Sequence, residues 1–135
     1  MDGFFEIVPE LIKSSGDDPY LYLEPPGNDV FNLLLVTQKD CAACARLQQT
    51  LREMQQDINL DFSAVIYYMY TFPRRPDDVN HLLAMASLKI KNAPALYLIN
   101  KRKRLIPFPM LKMDGTQAPH LVNLTKMDIY NIWRN

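Results

Sequence analysis

Cysteine is scarce in this chain: 135 residues carry two, at positions 41 and 44. That excludes the dense disulfide framework that staples small secreted domains, and with it the main sequence argument for secretion. Glycine is scarce as well, with four residues scattered at positions 3, 16, 27 and 115, so no glycine-rich loop exists to cradle a phosphate. Charge of either sign is not in excess. Fifteen basic and fifteen acidic side chains leave a formal net charge of zero, and nothing global steers the chain to nucleic acid or to an anionic membrane. No apolar run approaches the ~18–20 residues of a membrane-spanning helix. The start, Met1-Asp2-Gly3-Phe4-Phe5-Glu6, lacks the basic segment and apolar stretch of a secretory leader. These absences lead us to expect a cytoplasmic protein with no membrane contact and no nucleic-acid partner.

What is present is enough for a packed core. Apolar residues make up 48% of the sequence, which argues against disorder, and the length suits one domain spanning residues 1–135. Val30 to Thr37 is nearly all apolar and reads as a buried strand, followed by the polar turn Gln38-Lys39-Asp40. Leu47, Leu51, Met54 and Ile58 then recur in steps of three and four, which predicts a helix that begins at the cysteines and ends near Asp57. Phe62 to Tyr70 is a second strand, rich in aromatic and β-branched residues. Asp77 or Asp78 caps a helix with Val79, Leu82, Leu83, Met85 and Ala86 on its apolar side. Pro94 opens a third strand over Ala95–Asn100, which turns at Lys101-Arg102-Lys103-Arg104 and returns along Leu105–Phe108. Before all of these, Phe4, Phe5, Val8, Leu11 and Ile12 share a helical face, with Pro9 a kink or a late start. Tyr20–Glu24 reads as a short strand, and Thr125 with Asp128 has the spacing of a capping box for a final helix. Strands that alternate with helices and then form a hairpin imply a mixed sheet.

Chemistry enters with Cys41-Ala42-Ala43-Cys44, where the strand pattern hands over to the helix pattern. Two thiols three apart at a helix N-terminus can close a small disulfide ring, and the free N–H groups and dipole there stabilise a thiolate. Structural zinc would need four Cys or His ligands. Only His81 and His120 could complete such a set, and neither has finger-like spacing. We therefore expect no metal and no cofactor. Two inert buried thiols are the plainer alternative.

At two separated places the sequence resembles the thioredoxin-like superfamily of thiol–disulfide oxidoreductases. One is the strand–turn–Cys41-x-x-Cys44–helix unit; the other is Leu88-Lys89-Ile90-Lys91-Asn92-Ala93-Pro94-Ala95-Leu96-Tyr97-Leu98. The resemblance implies an α/β fold, with a central mixed sheet of four to five strands flanked by helices and, here, an extra N-terminal helix. It implies a cis Ala93–Pro94 bond beside the cysteines, with Ala93 and Pro94 contributing to substrate binding. It also marks departures. Asp40 and two alanines replace the family's tryptophan and Gly-Pro, and Leu35 stands where relatives carry a buried acid.

In the redox reading Cys41 is the exposed nucleophile and Cys44 the resolving thiol, acting on protein thiols or disulfides. Lys39 and the helix terminus favour the Cys41 thiolate. Asp40 opposes it by its charge, and its side chain can cap the helix and compete for the same N–H groups. The expected result is a weakly activated thiol and a fairly reducing couple. The competing expectation is an adaptor or complex subunit that binds peptides with little turnover, as in the luminal domain of certain oligosaccharyltransferase subunits, which this chain also resembles. The basic run 101–104 reads as a solvated hairpin tip, and Arg74 and Arg75 as a surface loop.

Overall fold

The computed structural model describes residues 4–22, 30–57, 64–75, 77–90, 93–108, 110–111, 120–121 and 131–134. Its centre is the apolar run 30–38. With apolar residues on both faces this segment is suited to the middle of a sheet, and it forms β4 (Val30–Gln38), flanked by β5 (Ala64–Phe72) in parallel and by β6 (Ala95–Ile99) antiparallel. β7 (Leu105–Pro107) returns antiparallel along β6. β1 (Phe4–Glu6) closes the far edge by pairing parallel with β5, so the five strands run in the order β1-β5-β4-β6-β7. This is the mixed α/β sheet expected of a thioredoxin-like fold.

The extra N-terminal helix does not form. Residues 4–15 instead make three short pieces: β1, a 3-10 turn over Pro9–Leu11, and β2 (Ile12–Ser15), which forms an antiparallel hairpin with β3 (Asp18–Leu21). Proline inside the segment removes a hydrogen-bond donor and blocks a continuous helix, and it sits here at the start of the 3-10 turn, where no donor is needed. Upstream of it, the edge of β5 offers free backbone groups, and Ile7 N–H extends the pairing by donating to Met69 O at 2.8 Å. The apolar spacing read as one helical face is thus divided among three elements. The β2–β3 turn carries Gly16 at φ 62, a left-handed conformation that glycine adopts without steric cost.

Strand alternation divides the core in two. Leu33 and Leu35 join Tyr67, Leu96, Leu98 and Phe108 beneath Leu47 and Leu51 of α1 (Ala42–Asp57). On the opposite face Leu34, Val36, Tyr70, Phe72, Tyr97 and Ile99 pack with Ala84 and Leu88 of α2 (Val79–Leu88), and with Ile12 and Leu21 of the N-terminal hairpin. Asp78, not Asp77, caps α2, its side chain accepting from Asn80 N–H at 2.8 Å. The same helix ends on Lys89 at φ 54, with Lys89 N–H bonded to Ala86 O and Ile90 N–H to Met85 O. That closure favours glycine, because a side chain at positive φ crowds the backbone. Lys89→Gly is expected to raise stability by about 1 kcal/mol, read as a higher urea midpoint at unchanged slope.

The basic run is built into a tight turn. Asn100 is buried, and its side chain accepts from Arg102 N–H and Arg104 N–H, each at 2.9 Å. Arg104 also meets Asp18 at 3.5 Å across the surface. Short strands β8 (Met110–Leu111) and β9 (His120–Leu121) pair with each other apart from the main sheet. The capping box of Thr125 and Asp128 lies outside the described residues. Residues 131–134 are helical, and Ile132 and Trp133 pack on the α1-side core.

Candidate thiol–disulfide site

β4 runs out beside β5, where Lys39 N–H donates to Phe72 O at 3.4 Å. Asp40 then turns left-handed at φ 60, a conformation that aspartate tolerates better than most residues. This turn sets Cys41 at the helix boundary: its carbonyl accepts the first helical bond, from Ala45 N–H at 3.2 Å, which makes Cys41 the N-cap. Its sulfur fills the capping role as well, accepting from Cys44 N–H at 3.1 Å. The competition expected from Asp40 is therefore not realised. Asp40 is exposed one position before the cap, and the Cys44 amide proton is directed to sulfur.

Cys41 and Cys44 are joined as a disulfide with their Cα atoms 5.2 Å apart. The two sulfurs are in different environments. Cys41 is half-buried, whereas Cys44 is 3% exposed within the first turn of α1. Ala42 between them is open to solvent. The second stretch singled out from the sequence arrives at the same end of the sheet. Ala95, the first residue of β6, stands opposite Val36 of β4, so Ala93 and Pro94 run beside the strand end from which the cysteine turn departs. The Ala93–Pro94 peptide bond is cis, and both residues are half-buried. Lys39, like Asp40, is exposed.

Leu35 is fully buried in the cluster that holds Leu47, Leu51 and Leu96, so the position at which the resemblance calls for an acid lies inside the apolar core. His81 does not turn toward the sulfurs. Its Nδ1 meets the Tyr70 hydroxyl at 2.8 Å and its ring stacks on that of Tyr70. The side chain of His120 is outside the described residues. Among the described residues no three His, Cys, Asp or Glu side chains group to hold a metal. Likewise, no described helix is long and apolar enough to cross a membrane.

A line of polar groups on the α1 face escaped the sequence reading. Thr37 Oγ1 meets Thr71 Oγ1 at 2.9 Å, and Glu6 accepts from Thr71 N–H at 3.1 Å and from the Thr71 hydroxyl at 3.4 Å. The available signal was Thr37 itself, which continues the inward alternation of Leu33 and Leu35 with a hydroxyl.

A profile of the family described as TraF, F plasmid transfer operon protein, matches residues 28–109, more than half of the chain. The chain belongs to the TraF family. The TraF match takes in β4 through β7, and so includes both Cys41-x-x-Cys44 and Ala93-Pro94. The N-terminal β1–β3 region and everything beyond residue 109 lie outside it. TraF membership together with the Cys41–Cys44 disulfide assigns the chain to the thioredoxin-like class. Comparison with curated proteins and with solved structures returned no match.

Proposed function

We propose that this protein is a thiol–disulfide oxidoreductase acting on protein thiols or disulfides through the Cys41–Cys44 pair, with residues 1–135 as one domain. The observation that carries the reading is the asymmetry of the pair: an outer sulfur at the helix cap that receives an amide hydrogen bond, and an inner sulfur sealed beneath it. Cys41 is the nucleophile. As a thiolate it attacks a substrate disulfide, one substrate sulfur leaves as a thiol, and the other stays bound to Cys41. Cys44 then attacks Cys41 Sγ, closing the ring and releasing the second substrate thiol. Run in reverse, the steps oxidise a dithiol. In this reading the Ala93 backbone and Pro94 border the bound peptide, Lys39 supports the thiolate and Asp40 restrains it.

Insulin-disulfide reduction with dithiothreitol tests the proposal. Wild type is expected to accelerate the reaction and Cys41→Ser to return it to the uncatalysed rate. Equal rates for the two proteins would overturn it. A second reading, an adaptor that binds partners without turnover, is favoured by one observation: Leu35 offers no acid beneath the pair. Equal rates in the same assay are what that reading expects. Compartment and resting redox state of such a pair are linked. Residence in the cytoplasm requires a pair that rests as a dithiol, whereas the closed bond is the form that an oxidising compartment such as the bacterial periplasm maintains.

A further inference from the structure

The five-stranded sheet has two edges, and they are not alike. At one, the N-terminal hairpin is tied beside the start of β7, with Leu21 N–H donating to Lys103 O at 2.9 Å and Tyr20 bridged to Arg104. At the other, β1 pairs with β5 on one side, and among the described residues nothing pairs with its second side. An edge of this kind is a template for another strand unless charge, proline or a bulge blunts it. Residues 4–7 contain no proline and no lysine, and Phe5 stays 43% exposed.

Backbone direction decides which groups are on offer. Ile7 N–H donates to Met69 O, and Glu6 stands opposite Met69 in the parallel register. Alternate residues of a strand turn their N–H and C=O to the same side, so Phe5 and Ile7 serve β5 while Phe4 and Glu6 present theirs to the open edge. Two outward residues flanking one inward residue make a self-complementary arrangement. When two copies pair antiparallel about a two-fold axis at Phe5, Phe4 of each exchanges both backbone bonds with Glu6 of the other. The two Phe5 residues then meet across the axis as a pair without backbone bonds, about 4.5 Å between Cα atoms, the spacing at which side chains come closest.

Side-chain charge selects this register. Residues directly opposite in a sheet share a face, so Glu6 of one copy comes to lie beside Phe4 of the other. The Arg52 guanidinium sits 5.4 Å from the centre of that Phe4 ring. Opposite charges are thus brought together twice, once on each side of the axis. Glu6 keeps its bonds to Thr71, one at each oxygen, because an ionised carboxylate has about four acceptor sites. Moving the axis to Glu6 would set two carboxylates directly opposite each other, which is destabilising. It would also call on Val8 O, already bonded to Leu11 N–H.

We propose that two copies of this chain join edge to edge through β1, uniting their sheets across a two-fold axis. The same patch is used on both copies, so assembly stops at the dimer. Three residues per copy make a small interface by the standard of specific complexes, so the dimer is weak and dissociates on dilution. The inference stands apart from the thiol–disulfide reading. Cys41 follows β4, and β5 lies between β4 and the joined edge.

Sedimentation equilibrium of the full chain, from low to high micromolar concentration, is expected to show a reversible monomer–dimer equilibrium. Phe5→Asp sets two carboxylates against each other at the axis and should weaken association at least about tenfold, with the melting temperature as the control for folding. Glu6→Lys and Arg52→Glu should each weaken it alone. An equimolar mixture of those two variants should associate as well as wild type, because each copy then meets the opposite charge on the other. A role confined to one chain gives no such rescue between copies. A wild type that stays monomeric throughout overturns the proposal, as do oligomers that grow beyond the dimer. A dimer that folded Phe5→Asp leaves intact, or a mixture that stays as weak as its components, overturns it equally.

Discussion

In Cys44→Ser protein, Cys41 is expected to stay joined to the substrate that it attacks, so that a covalent adduct with oxidised insulin accumulates on non-reducing gels. Cys41, at the N-cap of α1, is only partly buried, and in the proposed reaction its sulfur meets a disulfide presented by another protein. The inner one cannot, because it is 3% exposed. In the proposed reaction its part is to reach across the 5.2 Å between the two Cα atoms and displace the substrate, and serine cannot do this. Cys41→Ser retains only the buried thiol and is expected to form at least about tenfold less adduct, since exchange rates follow thiolate character and access. Comparable adduct yields from the two variants would remove the division of labour between the sulfurs. Dithiothreitol should release the trapped substrate from Cys44→Ser, which distinguishes a mixed disulfide from adhesion.

The second large effect is an alkaline loss of stability. The Tyr67 phenol is pushed up from 10.0 to about 12 by burial, and Tyr70 also to about 12, by burial first and then by the charges of Glu10, Asp78 and Glu6. Burial raises Tyr68 and Tyr97 as well. In each case the folded protein holds the proton more tightly than the unfolded chain does. The stabilising contribution is thus complete below pH 10.0 and is lost as pH climbs from there toward about 12. For Tyr67 alone the loss amounts to about 2–3 kcal/mol at 1.36 kcal/mol per unit. A domain of this size has only about 5–15 kcal/mol in total. The urea midpoint should fall steeply across that window, with tyrosinate absorbance rising together with unfolding. Tyr67→Phe should flatten the fall at little cost near neutrality, because its hydroxyl makes only a long 3.5 Å contact with Leu51 O. Full tyrosinate absorbance near pH 10 in a folded protein would contradict the argument.

The parts that could be read in advance are those in which local pattern and tertiary demand agree. β4, α1, β5, α2 and the β6–β7 hairpin each had an unbroken apolar period, a capping residue or a turn signal, and they formed within a few residues of the expected bounds. The N-terminal segment was misread because the spacing of Phe4, Phe5, Val8, Leu11 and Ile12 fits a helix while each piece finds its partner elsewhere. Phe4 stacks on Tyr67, 5.1 Å between ring centres, and Ile12 pairs with Leu21. Nothing in residues 4–12 alone announces those partners. The cysteine pair was legible because its chemistry is local, two thiols one helical turn apart. Glu6, Thr71 and Thr37 were not, since the line they form exists only once three strands are aligned.

That alignment has a consequence for how the chain can change. Thr37 and Thr71 point to the α1 side of the sheet, while their neighbours Val36 and Tyr70 point to the other. Inserting or deleting a single residue within β4 or β5 would reverse every side chain beyond it, bringing a phenol up where a hydroxyl now lies. Single-residue indels are therefore disfavoured in these two strands by the Thr37–Thr71 contact as well as by the core. Length variation among descendants of this sequence should instead collect in the connections between elements.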